Sequence, residues 1–251
     1  MLMQLEWTFY AFAIPAVILV GVAKGGFSGL GALGMPLLAL ALPPVQAAAI
    51  LLPILIVQDA VGVWAFRKTW DGRVLAVMLP GAVIGILCGW LLAARVSADV
   101  VLAAVGAISI LFGIHRLWAE RRGAIAASSR SPGWVGAIFG MVSGFTSQIA
   151  HAGGPPFQMW VMPRRLPRDV FVGTTAIFFA AVNWIKVPAY VALGQFTKAN
   201  LLTTAMLLPV AIASTFAGVA LVRRVSAERL YTLVYVLMIV VGVKLVWDAV
   251  A

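Results

Sequence analysis

The sequence predicts an all-α integral membrane protein of about eight transmembrane helices, arranged as two homologous four-helix repeats with broken or re-entrant glycine-rich segments. Three observations predict it. Of the 251 residues, 63% are hydrophobic and 10% charged, which leaves too little polar surface to cover a water-soluble globule. The apolar residues fall in runs near the roughly 20 residues needed to cross a bilayer. The two halves of the chain also resemble one another.

The candidate spans are 7–24, 44–66, 74–94, 100–118, 134–152, 170–193, 199–222 and 227–248. The first is expected to be retained rather than cleaved as a leader, since the six residues before it carry no Lys or Arg and one acid, Glu6. Basic or polar clusters separate the runs: Arg67 to Arg73, Arg95 to Asp99, Arg116 to Arg130, Arg164 to Asp169, Gly194 to Asn200, and Arg223 to Arg229. The longest, 120–133, contains Gly123, Ser128, Ser129, Ser131 and Pro132 and divides the chain into a first repeat, 1–119, and a second, 134–251.

A shift of 129 residues pairs Leu79-Pro80 with Leu208-Pro209, Gly89 with Gly218, Arg95-Val96-Ser97-Ala98 with Arg224-Val225-Ser226-Ala227, and Trp118 with Trp247. A shift of 119 pairs Gly21, Gly25, Ser28, Gly34 and Pro36 with Gly140, Gly144, Ser147, Gly153 and Pro155. Duplicated transporters place substrate between their repeats. Four spans per half make the repeats parallel, whereas re-entrant glycine segments make an inverted arrangement available. With eight full spans the basic residues divide almost evenly between the two sides, so the positive-inside rule gives no orientation.

The stretch Lys24-Gly25-Gly26-Phe27-Ser28-Gly29-Leu30-Gly31-Ala32-Leu33-Gly34-Met35-Pro36 cannot be a regular helix at membrane depth. Non-helical backbone is tolerated there only inside protein or beside a wet cavity, and a break frees amide N–H groups that can meet an anion. Its counterpart runs from Ser143 to Pro156 and contains Ser147, Gln148, His151, Gly153 and Gly154. Two broken segments at corresponding positions mark the expected binding site.

On the glycine run Gly25 to Gly34 leading into Pro36, the related Gly144 to Pro156, the Asp71 turn before Leu79-Pro80 and the duplicated halves, the chain resembles the sulfite exporter TauE/SafE family (TSUP) from about Ala13 to Val246. The resemblance implies movement of sulfite, a sulfonate or a related small anion across a bacterial inner (plasma) membrane by a multi-pass protein. Gln148 and His151 interrupt the denser glycine run usual in the second segment.

Ionisable residues inside spans are costly and mark function. Lys24 opens the first broken segment, Asp59 follows Gln58 in the second span, and Lys186 lies one turn after Asn183 in the sixth. Lys24, Asp59 and Lys186 sum to a buried charge of +1 − 1 + 1 = +1, which favours an anionic ligand. The substrate-binding set is therefore Lys24, Gly25, Gly26, Ser28, Gln58, Ser147, Gln148, His151, Gly153, Gly154, Asn183 and Lys186, with Asp59 or His151 coupling a proton.

The formal charge of +10 lies in short clusters between apolar runs, without the continuous basic face that nucleic acid requires; the expected partners are a small anion and the lipid bilayer. A homo-oligomer is left open. Two distant histidines and one cysteine make no metal-ligand set, and no phosphate-binding loop occurs, so neither metal nor cofactor is expected. Cys88 is expected to pack as a small core residue. Trp7, Trp64, Trp70, Trp118, Trp134 and Trp247 fall near span ends, as an interfacial belt requires; Trp184 could line the pocket or simply pack.

A passive anion channel would use the same basic, glycine-lined path. An enzyme reading also exists: Gly26-Phe27-Ser28-Gly29 resembles the nucleophile motif of rhomboid intramembrane proteases, with His151 as base. Ser28 has a repeat partner in Ser147, whereas a catalytic dyad needs one nucleophile, so a transporter without catalytic residues is the expectation.

Overall fold

The computed structural model describes residues 7–27, 29–93, 95–122, 131–221 and 228–251, and these form ten α-helices without strands. In chain order they are α1 (Trp7–Lys24), α2 (Gly34–Ala39), α3 (Pro44–Phe66), α4 (Gly72–Ala93), α5 (Ala98–Arg122), α6 (Gly133–Ala150), α7 (Gly154–Val161), α8 (Arg168–Ala192), α9 (Lys198–Leu221) and α10 (Glu228–Val250). Short 3-10 turns, Leu30–Leu33 and Met162–Arg164, precede α2 and follow α7.

Among the described residues, seven helices are long and apolar enough to cross a membrane. All seven coincide with expected spans. The remaining expected span is α6, which is as long as α1, at 18 residues, but carries Ser143, Thr146, Ser147 and Gln148 in its second half. Those side chains explain why it falls short on hydropathy and also what it does. Ser143 Oγ donates to the Gly153 carbonyl at 2.7 Å and Thr146 Oγ1 to the Ala152 carbonyl at 3.1 Å, so α6 satisfies the backbone of the break that follows it.

Each glycine segment reverses the chain. After α1, a turn at Gly25–Phe27 and a positive-φ Gly29 (110°) send α2 back along α1, so close that a Cβ on Gly34 would fall 2.3 Å from Val20 Cγ2. After α6, His151 and Ala152 donate to Ser147 and Thr146, and α7 returns until the Trp160 ring lies against Gly136. His151 occupies the left-handed cap position, φ 50°, where glycine is usual. The second break is shorter than expected: Ser143–Ala150 is helical, and the interruption covers His151–Gly153.

The glycines also show the direction of the packed helices. Gly21 of α1 and Gly25 just beyond its end lie against Ser214 and Gly218 of α9, so these two helices run parallel. Gly81, Gly85 and Gly89 of α4 meet Ala137, Met141 and Gln148 of α6, again in parallel. By contrast, Gly106 and Gly113 of α5 meet Gly242 and Ile239 of α10, and Gly62 of α3 meets Ala176 of α8 while the Phe66 carbonyl meets Gly173; both pairs are antiparallel. Close backbone approach through small residues is the usual means of holding helices together where lipid removes the hydrophobic drive between them.

The predicted aromatic belt is present in outline: Trp7, Trp64, Trp70, Trp118, Trp134 and Trp247 are exposed at or near helix ends. Two expectations need correction. Cys88 is exposed on the outer surface of α4, and Trp184 is 62% exposed, facing away from the interior. Both lie on lipid-facing sides of helices that the apolar pattern, hydrophobic all round, could not distinguish from buried sides.

Candidate functional site

A cavity of about 90 Å³ lies where the two breaks face α3 and α8, several times the space a single water requires. Its walls include Lys24, Gly29, Gly31, Ser147, His151, Gly154, Gln158, Thr175, Phe179 and Asn183, with apolar contributions from Val20, Met35, Leu51 and Leu55. Each polar group is placed by an identifiable piece of local structure.

On one side, α1 ends at Lys24, whose ammonium pairs with Asp59 of α3 at 2.5 Å and sits 5.0 Å from the centre of the Phe179 ring. The other Asp59 oxygen accepts from Asn183 Nδ2 at 2.6 Å. A carboxylate can only accept, so this bond fixes the amide and leaves Asn183 Oδ1 as the acceptor turned elsewhere. The triad of Lys24, Asp59 and Asn183 joins α1, α3 and α8.

On the other side, Lys186 of α8 is 0% exposed. Its ammonium donates to the carbonyl and hydroxyl oxygens of Ser147 at 3.2 and 3.1 Å and stands 2.8 Å from His151 Nδ1. His151 Nε2 is 3.0 Å from the Ala48 carbonyl. A carbonyl has no proton to give, so Nε2 carries the hydrogen and Nδ1 offers its lone pair to the ammonium. Among the described residues no carboxylate lies within 4.0 Å of Lys186. The residual +1 expected from the sequence is thus assigned to one residue.

Of the predicted site residues, Lys24, Ser147, His151, Gly154 and Asn183 line the cavity. Asp59 and Lys186 lie directly behind the lining residues Lys24, Asn183, Ser147 and His151. Ser28 lies outside the described residues. Gln58 is elsewhere: its Nε2 donates to the Val17 and Ala211 carbonyls at 3.3 and 3.5 Å, tying α3 to α1 and α9. Gln148 is buried against Gly89 of α4, with the Tyr190 hydroxyl donating to its backbone carbonyl at 3.4 Å. Gly25 packs on the Gly218 backbone, and the Gly153 carbonyl accepts from Ser143; neither lines the cavity, and nor does Gly26.

The expected display of free amides is also reduced. The N–H groups of Gly25, Gly26, Phe27, Leu30, Ala32, His151 and Ala152 all donate to nearby backbone carbonyls, and Pro155 and Pro156 have no N–H at the start of α7. Positive charge at the site therefore comes chiefly from side chains.

Gln158, Thr175 and Phe179 complete the wall and were not anticipated. Gln158 follows Gly154 by one turn of α7, so the two share a face. A lone glutamine in Gly154-Pro155-Pro156-Phe157-Gln158-Met159-Trp160-Val161 was the available signal. Arg116, read as a charge of the central connection, reaches inward to Gln158.

Comparison with known proteins agrees with the resemblance read from the motifs. The model of the sulfite exporter TauE/SafE family matches residues 13–245, and the chain belongs to that family. No curated protein and no solved structure matches it.

Proposed function

We propose that this TauE/SafE family member is a secondary carrier for a small oxyanion, sulfite or a sulfonate or related anion, in a bacterial inner membrane. The observation that carries this reading is Lys186: a fully buried ammonium beside the cavity, held by neutral groups and with no carboxylate within 4.0 Å among the described residues. A buried cation without a partner is costly. An anion accepting from the Ser147 hydroxyl supplies the missing charge, while Lys24, already paired with Asp59, contributes field rather than a second open site.

The helix directions support an inverted repeat of five helices per half. The first helix of each half packs in parallel on the fourth helix of the other, α1 on α9 and α6 on α4, while the third and fifth helices pair antiparallel with their equivalents, α3 with α8 and α5 with α10. Because α2 and α7 double back, each half crosses the membrane three times beyond its hairpin, and an odd number inverts the second half relative to the first. The halves exchange their hairpins, so each break is braced by the opposite repeat.

This topology also gives an orientation. Arg67, Lys68, Arg73, Arg116, Arg164, Arg165 and Arg168 gather at the end of the molecule where α3 and α5 finish and α8 begins, against Arg95, Lys198 and Lys244 at the other. The positive-inside rule makes the first end cytoplasmic. In bacterial cells an impermeant thiol reagent is expected to label Ala199→Cys and to spare Lys68→Cys, both in a Cys88→Ser background; the reverse pattern overturns the orientation.

Proton coupling fits the two titratable groups at the breaks, Asp59 on Lys24 and His151 on Lys186. The test of function is uptake and efflux of sulfite, sulfate, thiosulfate, sulfoacetate, taurine and simple carboxylates in proteoliposomes, with and without a pH gradient. Saturable flux of small oxyanions that responds to the gradient is expected. Preference for zwitterionic taurine would contradict a net anion as the substrate, and flux proportional to concentration without saturation would contradict the carrier.

A further inference from the structure

We propose that Arg116 is a specificity-determining positioning residue: it fixes the amide of Gln158 so that its NH2 group faces the cavity as a hydrogen-bond donor for the anion. The proposal rests on the anion reading above and adds to it a second polar contact, supplied by α7.

Gln158 is 3% exposed and lines the cavity. An amide side chain has one accepting and one donating end, and nothing in its shape decides which end faces a ligand. Arg116 decides it. Its Nη2 donates to Gln158 Oε1, and a guanidinium has no acceptor with which to hold the other end. With Oε1 engaged, Nε2 is left beside Gly154, which also lines the cavity, and no hydrogen bond from it to the described residues is formed.

The arginine is itself held in place. Its guanidinium lies 5.5 Å from the centre of the Phe112 ring and 5.7 Å from that of Tyr235, and Nη1 is 3.6 Å from Met162 Sδ. Aromatic faces favour a cation without competing for its donors. The residue thereby connects the α5–α10 pair to α7, next to Gly29 of the first break. It is half-buried, and its Nε lacks a hydrogen-bond partner among the described residues, so its arrangement is not fully explained by the needs of the guanidinium alone.

Asn183 is fixed in the opposite sense. Asp59 takes its NH2 group, leaving an acceptor where Arg116 leaves a donor. The two amides are thus polarised in opposite senses by charged neighbours, and of the two only Gln158 offers an anion a donor.

The test is a double-mutant cycle on sulfite flux in proteoliposomes, using Arg116→Met, Gln158→Met and the double variant. Loss of a hydrogen bond to a charged ligand corresponds to roughly a tenfold or greater change in affinity, so Gln158→Met should raise KM about tenfold with kcat nearly unchanged. Arg116→Met should raise KM to a similar extent, and the double variant should be no worse than Gln158→Met alone, because without the amide there is nothing for the arginine to orient. Arg116→Lys, which keeps a donor for Oε1, should recover part of the loss. Melting temperatures of the four proteins separate this from a loss of fold. Saturable wild-type flux with an unchanged KM in Arg116→Met, or with KM factors that multiply in the double variant, overturns the positioning role and leaves the carrier intact. Absence of sulfite or other oxyanion flux in the wild type overturns the carrier, and the positioning role with it.

Discussion

The two hairpins are built from related sequence, yet one carries a neutralised cation and the other does not. In the first, Lys24 at the end of α1 is paired with Asp59; in the second, the residue in the same register is Ser143, which is used to pin the Gly153 carbonyl. The second hairpin instead presents His151 and Ser147 to Lys186 of α8. The glycines recur in sequence and the charges do not. A symmetrical pair of lysines would give two equivalent anion stations, whereas this arrangement has one ammonium held by neutral groups beside one closed ion pair.

The largest effect should follow from the open side. Lys186→Met removes the uncompensated charge while retaining most of the volume, and flux is expected to fall by roughly a hundredfold or more, the scale on which desolvated charge contacts act. Thermal stability should hold or rise, since the replacement ends the burial of an ammonium. A drop in stability with flux retained would make Lys186 structural.

Next comes the closed side. Asp59→Asn changes the local charge from +1 to +2 and leaves Lys24 without its partner; breaking a buried pair costs about 3–5 kcal/mol. A lowered melting temperature together with a lower KM for sulfite is therefore expected, and Lys24→Met in the same background should restore stability. A raised KM in Asp59→Asn would show that the carboxylate assists the anion instead of holding Lys24 aside.

A smaller effect is expected at Gln58. Its two long bonds to backbone carbonyls are worth on the order of 1 kcal/mol, so Gln58→Leu should lower stability slightly and leave the KM for sulfite as it is. A change in KM would return Gln58 to the site.

How much of this was legible in the sequence depends on what made each residue conspicuous. Lys24, Asp59, Asn183 and Lys186 stood out because charge and amide groups are expensive in long apolar runs, and the structure brings all four together around the cavity. The same logic singled out Gln58 and Gln148, which do not line the cavity. A buried amide also serves to bind backbone carbonyls or fill a glycine notch, and pattern alone cannot tell these uses apart. The breaks were legible from their glycines, but their amides were overcounted, since tight reversals engage their own N–H groups. Arg116 stayed hidden because the sequence presents it as the first of a cluster of basic residues between two apolar runs. The repeat was read in two registers, whereas the inversion proposed for it rests on the hairpins doubling back, which periodicity does not report.

The central claim is that the unpaired charge of Lys186 recruits the substrate. Counterflow of labelled sulfite into proteoliposomes preloaded with unlabelled sulfite tests it most directly, because exchange requires binding but no net driving force. Rapid, saturable exchange by the wild-type protein and its loss in a folded Lys186→Met variant is the predicted result. Equal exchange by the two proteins would contradict it.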